Sequence, residues 1–163
     1  MTERWTEAGL VLNPAYVAEL LRRTNASPFP SHLPMRVTSV GLRDAGVELD
    51  IADCHLQPFG IVHGGVIATL VDTATFWAGF GSIPETAGLV NVDLKLNYLS
   101  PATSGRLLAT GRAIKSGRTL GYTEATVMTE AGHLVAHGTS PLMVLEGQGL
   151  AIGVPKFLTA SPS

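Results

Sequence analysis

The sequence predicts an α+β fold in which an antiparallel sheet is covered on one face by a single long apolar helix. Three patterns predict it. Val66, Ile67, Leu70, Val71, Ala74, Trp77 and Ala78 recur with the 3.6-residue period of a helix. Val90, Val92, Leu94, Leu96 and Tyr98 alternate with Asn91, Asp93, Lys95 and Asn97, the two-residue period of a half-buried strand. The later strands are joined by links of hairpin length, so neighbours pair antiparallel and the apolar helix must cover one of their faces.

Taken in order, Asn13-Pro14 is an N-cap followed by proline at the first helical position, and Tyr16, Val17, Leu20 and Leu21 carry a helix to about residue 23. Pro28, Pro30 and Pro34 predict an extended loop. Residues 35–42 and 47–52 read as strands around the turn Arg43-Asp44-Ala45-Gly46. Residues 55–62 are irregular and end at His63-Gly64-Gly65, where the long helix starts; it stops at Gly79 and Gly81. After the period-two strand, Ser116-Gly117-Arg118 links strands 107–115 and 119–129, and Ala131-Gly132 leads into a last strand over 134–145. The expected organisation is a helix and loop over 1–34, the sheet-and-helix domain over 35–145 and a tail over 146–163. The Gly, Ser and Pro of that tail predict a loosely held end.

Composition excludes several functions. The chain of 163 residues is 45% hydrophobic and 15% charged, against an average charged share of about 25%. That argues against disorder and for a surface covered by another copy of the chain. A net charge of -2 offers no basic excess for a nucleic-acid backbone. Cys54 is the one cysteine, and residues 1–9 lack the apolar core of a secretory signal, so a cytoplasmic protein is expected. Residues 66–83 are apolar, but Asp72, the threonines and the glycines favour a buried helix over a membrane span.

Asp72 is the only ionisable side chain between Gly64 and Pro84, in mid-helix, beside Gly65, Ala68, Thr69, Thr75 and Phe76. An acid there needs a partner or a use; a structural aspartate bonded across a helix interface and a functional acid both satisfy the pattern. At His63-Gly64-Gly65 the glycines expose the unpaired amides of a helix N-terminus, suited to an oxyanion, although a plain glycine-rich helix entry and a core histidine fit as well. Gly64 and Asp72 are about 12 Å apart along the helix, whereas a reacting carbonyl must lie about 3 Å from both its oxyanion donor and its base. Two antiparallel copies of the helix remove that conflict, so a shared carbonyl requires a dimer. Gln57 is a loop amide that reaches a carbonyl or solvent. Lys95, Arg112, Lys115 and Arg118 are scattered cations that fit a solvated surface, and Lys115 and Arg118 beside Gly117 also fit a cofactor phosphate. His133 and His137 lie about 13 Å apart on a strand, too far for one ion, so no metal is expected.

These residues resemble the hotdog-fold acyl-CoA thioesterases, in particular the phenylacetate-pathway (PaaI-like) branch of the 4-hydroxybenzoyl-CoA thioesterase superfamily. The similarity rests on 57–65 (QPFGIVHGG), the acid at Asp72, 92–102 (VDLKLNYLSPA), the Gly117-Arg118-Thr119 hairpin and Val135-Ala136-His137-Gly138. It implies a sheet of five or six strands wrapped around the central helix, with an extra N-terminal helix, and a homodimer that pairs again into a homotetramer. It also implies Asp72 as general base or nucleophile, Gly64 as oxyanion amide, and Gln57 or His63 orienting the thioester. Substrate contacts are implied at Gly65, Thr73, Thr75, Phe76, Asn97, Lys115, Gly117 and Arg118. Some relatives hold water with Ser or Thr one turn after the acid. Phe76 stands there, so Thr73 or Thr75 is the expected substitute and Phe76 is expected to line an acyl pocket. No cofactor is implied beyond the coenzyme A of the substrate. The other readings on the same fold are a non-catalytic acyl-CoA sensor and an enoyl-thioester hydratase.

Overall fold

The computed structural model describes residues 10–159. Residues 1–9, where a secretory signal is not expected, lie outside them, as does the end of the tail. The chain runs β1 (Leu10–Leu12), α1 (Pro14–Asn25), α2 (Pro28–His32), β2 (Met35–Val40), β3 (Asp44–Asp50), a 3-10 turn (Asp53–His55), α3 (Gly64–Phe80), β4 (Gly88–Asn91), β5 (Lys95–Tyr98), β6 (Arg106–Ser116), β7 (Leu120–Thr129), β8 (Leu134–Leu145) and β9 (Phe157–Thr159). Among the described residues no helix is long and apolar enough to cross a membrane.

The main sheet is antiparallel in the order β2-β3-β6-β7-β8-β4, with β5 also on β8. Seven strands thus fill six positions, because β4 and β5 lie end to end along one edge of β8. Helix α3 crosses one face of this sheet, burying Val66, Ile67, Leu70, Val71, Ala74 and Ala78. Its close approach needs glycine in the strand beneath: a Cβ at Gly111 would overlap the carbonyl oxygen of Ala74.

Several local expectations change. The proline-rich loop is in part a short helix, Pro28–His32, because a first-turn proline loses no intrahelical bond. The first hairpin turns over 41–43, not 43–46, where the Gly41 N–H donates to Asp44 O at 2.8 Å. The long alternating strand is broken. Asn91 faces Leu142 and Lys95 faces Thr139, so four steps on this strand match three on β8. That extra residue is a bulge that reverses which side chains point inward. Leu94 and Leu96 pack on the core beyond it; before it, Asn91 turns toward α3 while Val92 is 58% exposed.

The tail is not loosely held over its described part. β9 pairs with β1, Asn13 caps α1 by accepting from Ala15 N at 3.0 Å, and its own amide donates to Pro155 O at 2.9 Å. Lys156 is fully buried. Its Nζ donates to Phe80 O at 2.6 Å and Ile83 O at 2.9 Å, completing the C-terminus of α3, and lies 4.1 Å from the Phe80 ring centroid. Burial pulls the ammonium down to about 7 from its ordinary 10.5. Between those values the unfolded chain binds a proton that the folded chain does not, so stability rises as pH increases from 7 to 10.5. Urea titrations across that range are expected to show this rise in the parent and a flatter dependence in Lys156→Met.

Candidate active site

The chain enters α3 through a tight loop. Gln57 N–H donates to Ile61 O, Gly60 N–H to Gln57 O, both at 2.8 Å, and Gly60 turns the chain at φ 76°. His63 then caps the helix, its Nδ1 accepting from Gly65 N at 2.8 Å. This fills one of the two glycine amides. The Gly64 N–H has no acceptor among the described residues. It borders a cleft of about 850 Å³ whose wall includes Gln57, Ile61, His63, Gly65, Tyr98 and Leu99. The Gln57 side-chain Oε1 accepts from Phe59 N at 3.0 Å, which leaves the side-chain amide nitrogen Nε2 to donate. An unfilled helix-N-terminal amide in a mostly apolar cleft is suited to a developing oxyanion.

Asp72 lies outside this cleft, two turns along α3, on the helix's solvent-facing side. Its Oδ1 accepts from Asn91 Nδ2 at 2.7 Å. The same nitrogen approaches Asp72 O and Thr75 Oγ1 at 3.3 and 3.4 Å. Burial by the surrounding helix and strand raises the carboxyl above its ordinary value, and the Asn91 bond pulls it part of the way back. Asn91→Ala removes the lowering contribution alone. If Asp72 carries activity in its ionised form, the acid limb of kcat against pH is expected to move to higher pH, read directly from the profile.

The structure brings Gln57, His63, Gly64 and Gly65 to one cleft, and sets Asp72, Thr75 and Phe76 together further along the helix. The Thr75 hydroxyl is buried and donates to the Val71 and Asp72 carbonyls at 2.9 Å, and Thr73 faces Met35 Sδ at 3.7 Å. Neither presents a free hydroxyl beside the Asp72 carboxylate, where Asn91 stands instead. Phe76 is half-buried, edge-on to Trp77 with ring centroids 4.9 Å apart and stacked on Phe80 at 6.0 Å. Asn97 is on the exposed side of β5, opposite His137. Lys115, Gly117 and Arg118 belong to the β6–β7 hairpin. That hairpin is tied to the C-terminal end of α3 by the Ser82–Ser116 hydroxyl bond of 2.9 Å, away from the Gly64 cleft of the same protomer. Sequence reasoning missed Asn91 and Tyr98, both hidden in a strand pattern that explained them as ordinary alternation.

Known proteins resemble this chain in sequence and in fold. Residues 59–136, which hold the cleft loop, α3 and the edge strand, match the family model described as Thioesterase superfamily. Human acyl-coenzyme A thioesterase 13 is 34% identical over 93 residues, 56% of this chain and 66% of that protein. A thioesterase of Haemophilus influenzae superposes with a TM-score of 0.73 at 26% identity, over 78% of this chain and 90% of that one. A thioesterase family protein of Silicibacter pomeroyi gives 0.73 at 28% identity, over 81% and 99%. With its antiparallel sheet wrapped on α3, the chain has the hotdog fold, and over residues 59–136 it is similar to the thioesterase superfamily.

Proposed function

We propose that this protein is an acyl-CoA thioesterase of the phenylacetate-pathway branch, working as a cytoplasmic homodimer whose two active sites are each shared between protomers. One observation carries the reading: α3 offers an unfilled amide at its start and a partly desolvated acid two turns later, yet one protomer's cleft contains only the amide. The unpaired edge of β4 and β5, with Val90, Val92, Tyr98 and Leu99 exposed, supports a two-fold pairing that runs two α3 helices antiparallel. Asp72 of one copy then approaches Gly64 of the other. Leu108, Ile114, Tyr122, Met128 and Met143, exposed on the sheet face away from α3, support a second pairing into a tetramer.

In this reading the thioester oxygen is held by Gly64 N–H, with the Gln57 amide donating beside it. Asp72 takes a proton from water as the hydroxyl adds to the carbonyl carbon. Collapse of the tetrahedral oxyanion breaks the C–S bond, and the departing thiolate takes the proton from Asp72, leaving free acid and CoA. Direct attack by Asp72 gives a mixed anhydride that water then opens; single-turnover hydrolysis in labelled water separates the routes by whether label enters Asp72. The half-exposed ring of Phe76, one turn from Asp72, supports an aromatic acyl group. Lys115 and Arg118, without ion-pair partners among the described residues, are the groups suited to the coenzyme phosphates, and no further cofactor is required.

The test is thiol release from a panel of aromatic, short-chain and long-chain CoA esters. Release with preference for aromatic esters is expected. Binding without release would identify a sensor, and loss of enoyl absorbance without thiol would identify a hydratase; either contradicts the proposal.

A further inference from the structure

The proposed reaction places its oxyanion on one backbone N–H, and that N–H belongs to a glycine, whose flanking peptides rotate more freely than those of any other residue. An oxyanion donor is effective only if it is already aimed before charge develops. Something must therefore hold Gly64. His63 supplies part of the hold on the two peptides that flank Gly64, its carbonyl accepting from Val66 N at 3.0 Å and its ring Nδ1 from Gly65 N at 2.8 Å. Tyr98, at the end of β5, adds a restraint from the sheet: its hydroxyl donates to Gly64 O at 3.1 Å. The ring also covers the open side of the glycine, because a Cβ there would lie 3.1 Å from the Tyr98 hydroxyl oxygen and 3.2 and 3.3 Å from Cζ and Cε1. Tyr98 is 57% exposed and lines the cleft, so its hydroxyl is not required to satisfy a buried core.

We infer that Tyr98 is a positioning residue, which fixes the Gly64 peptide through its carbonyl so that the neighbouring N–H faces the thioester. The inference rests on the thioesterase reading for its kinetic consequence, but the restraint on Gly64 is a property of the protein alone. Tyr98→Phe keeps the ring and removes the bond. It is expected to lower kcat about 10-fold, less than loss of a whole oxyanion donor, while KM stays within about 2-fold. The backbone order parameter of the Gly64 amide is expected to fall from about 0.85 to below about 0.7 with the melting temperature held. Gly64→Ala pushes the ring aside, so adding Tyr98→Phe to it is expected to cost much less than in the parent, a non-additivity that a merely structural tyrosine would not produce.

Parental kcat in an active Tyr98→Phe protein would overturn the inference. So would a raised KM at unchanged kcat, which would mean that the hydroxyl contacts substrate directly. If the parent releases no thiol from any ester, the thioesterase reading fails and the amide dynamics decide alone: an unchanged Gly64 order parameter overturns the restraint, and a lowered one supports it.

Discussion

Asp72→Asn is expected to lower kcat by at least about 10²-fold, because in the proposed mechanism it removes the group that takes a proton from water or attacks the carbonyl. The substitution is nearly isosteric. Asn91 Nδ2 still finds a carbonyl oxygen 2.7 Å away if the new amide presents its oxygen there, so the fold and the association state should be kept. The raised pKa of the parental carboxyl makes it a better base than an ordinary surface aspartate, and an amide cannot replace that. Thiol release under saturating ester, together with mass in solution, checks both halves. Parental turnover in the purified variant would remove Asp72 from the mechanism.

Gly64→Pro is expected to have a comparable effect by the opposite means, deleting one N–H and no side-chain function. Proline is favoured at the first position of a helix, where its missing donor breaks no intrahelical bond. The residue before proline must be extended, and His63 already lies at φ -61° and ψ 136°. The backbone therefore accepts the ring, with the Tyr98 side chain giving way by a few tenths of an ångström. Loss of one oxyanion donor costs about 10² to 10³ in kcat. Near-parental thermal melting with kcat reduced to that extent is the expected result; unchanged kcat would mean that the Gly64 amide does not hold the oxyanion.

The sequence makes α3 and its solitary acid legible because a single charge in an apolar helical stripe has few explanations. It makes the edge strand legible too, but not its consequence. Asn91 sits among polar residues of an alternating run and reads as solvent-facing. Only the bulge, which depends on how this strand meets β8, turns it inward to Asp72. For the same reason Thr73 and Thr75 looked suited to water positioning, although helix geometry commits one hydroxyl to backbone carbonyls and turns the other toward β2. Lys156 was hidden among Gly and Pro because its partners are carbonyls at the far end of α3, and no local pattern records a contact of that range.

The sharing of one active site between two protomers is tested most directly by mixing Asp72→Asn with Gly64→Pro, each nearly inactive alone, and letting subunits exchange. A mixed dimer then contains one site built from an intact Gly64 and an intact Asp72, and one site with neither. In a random mixture of equal parts, half the dimers are mixed and each has one of two sites working, so activity is expected to return to about a quarter of the parental level. No recovery in dimers shown to be mixed would contradict the account, because it would mean that each chain completes its own site.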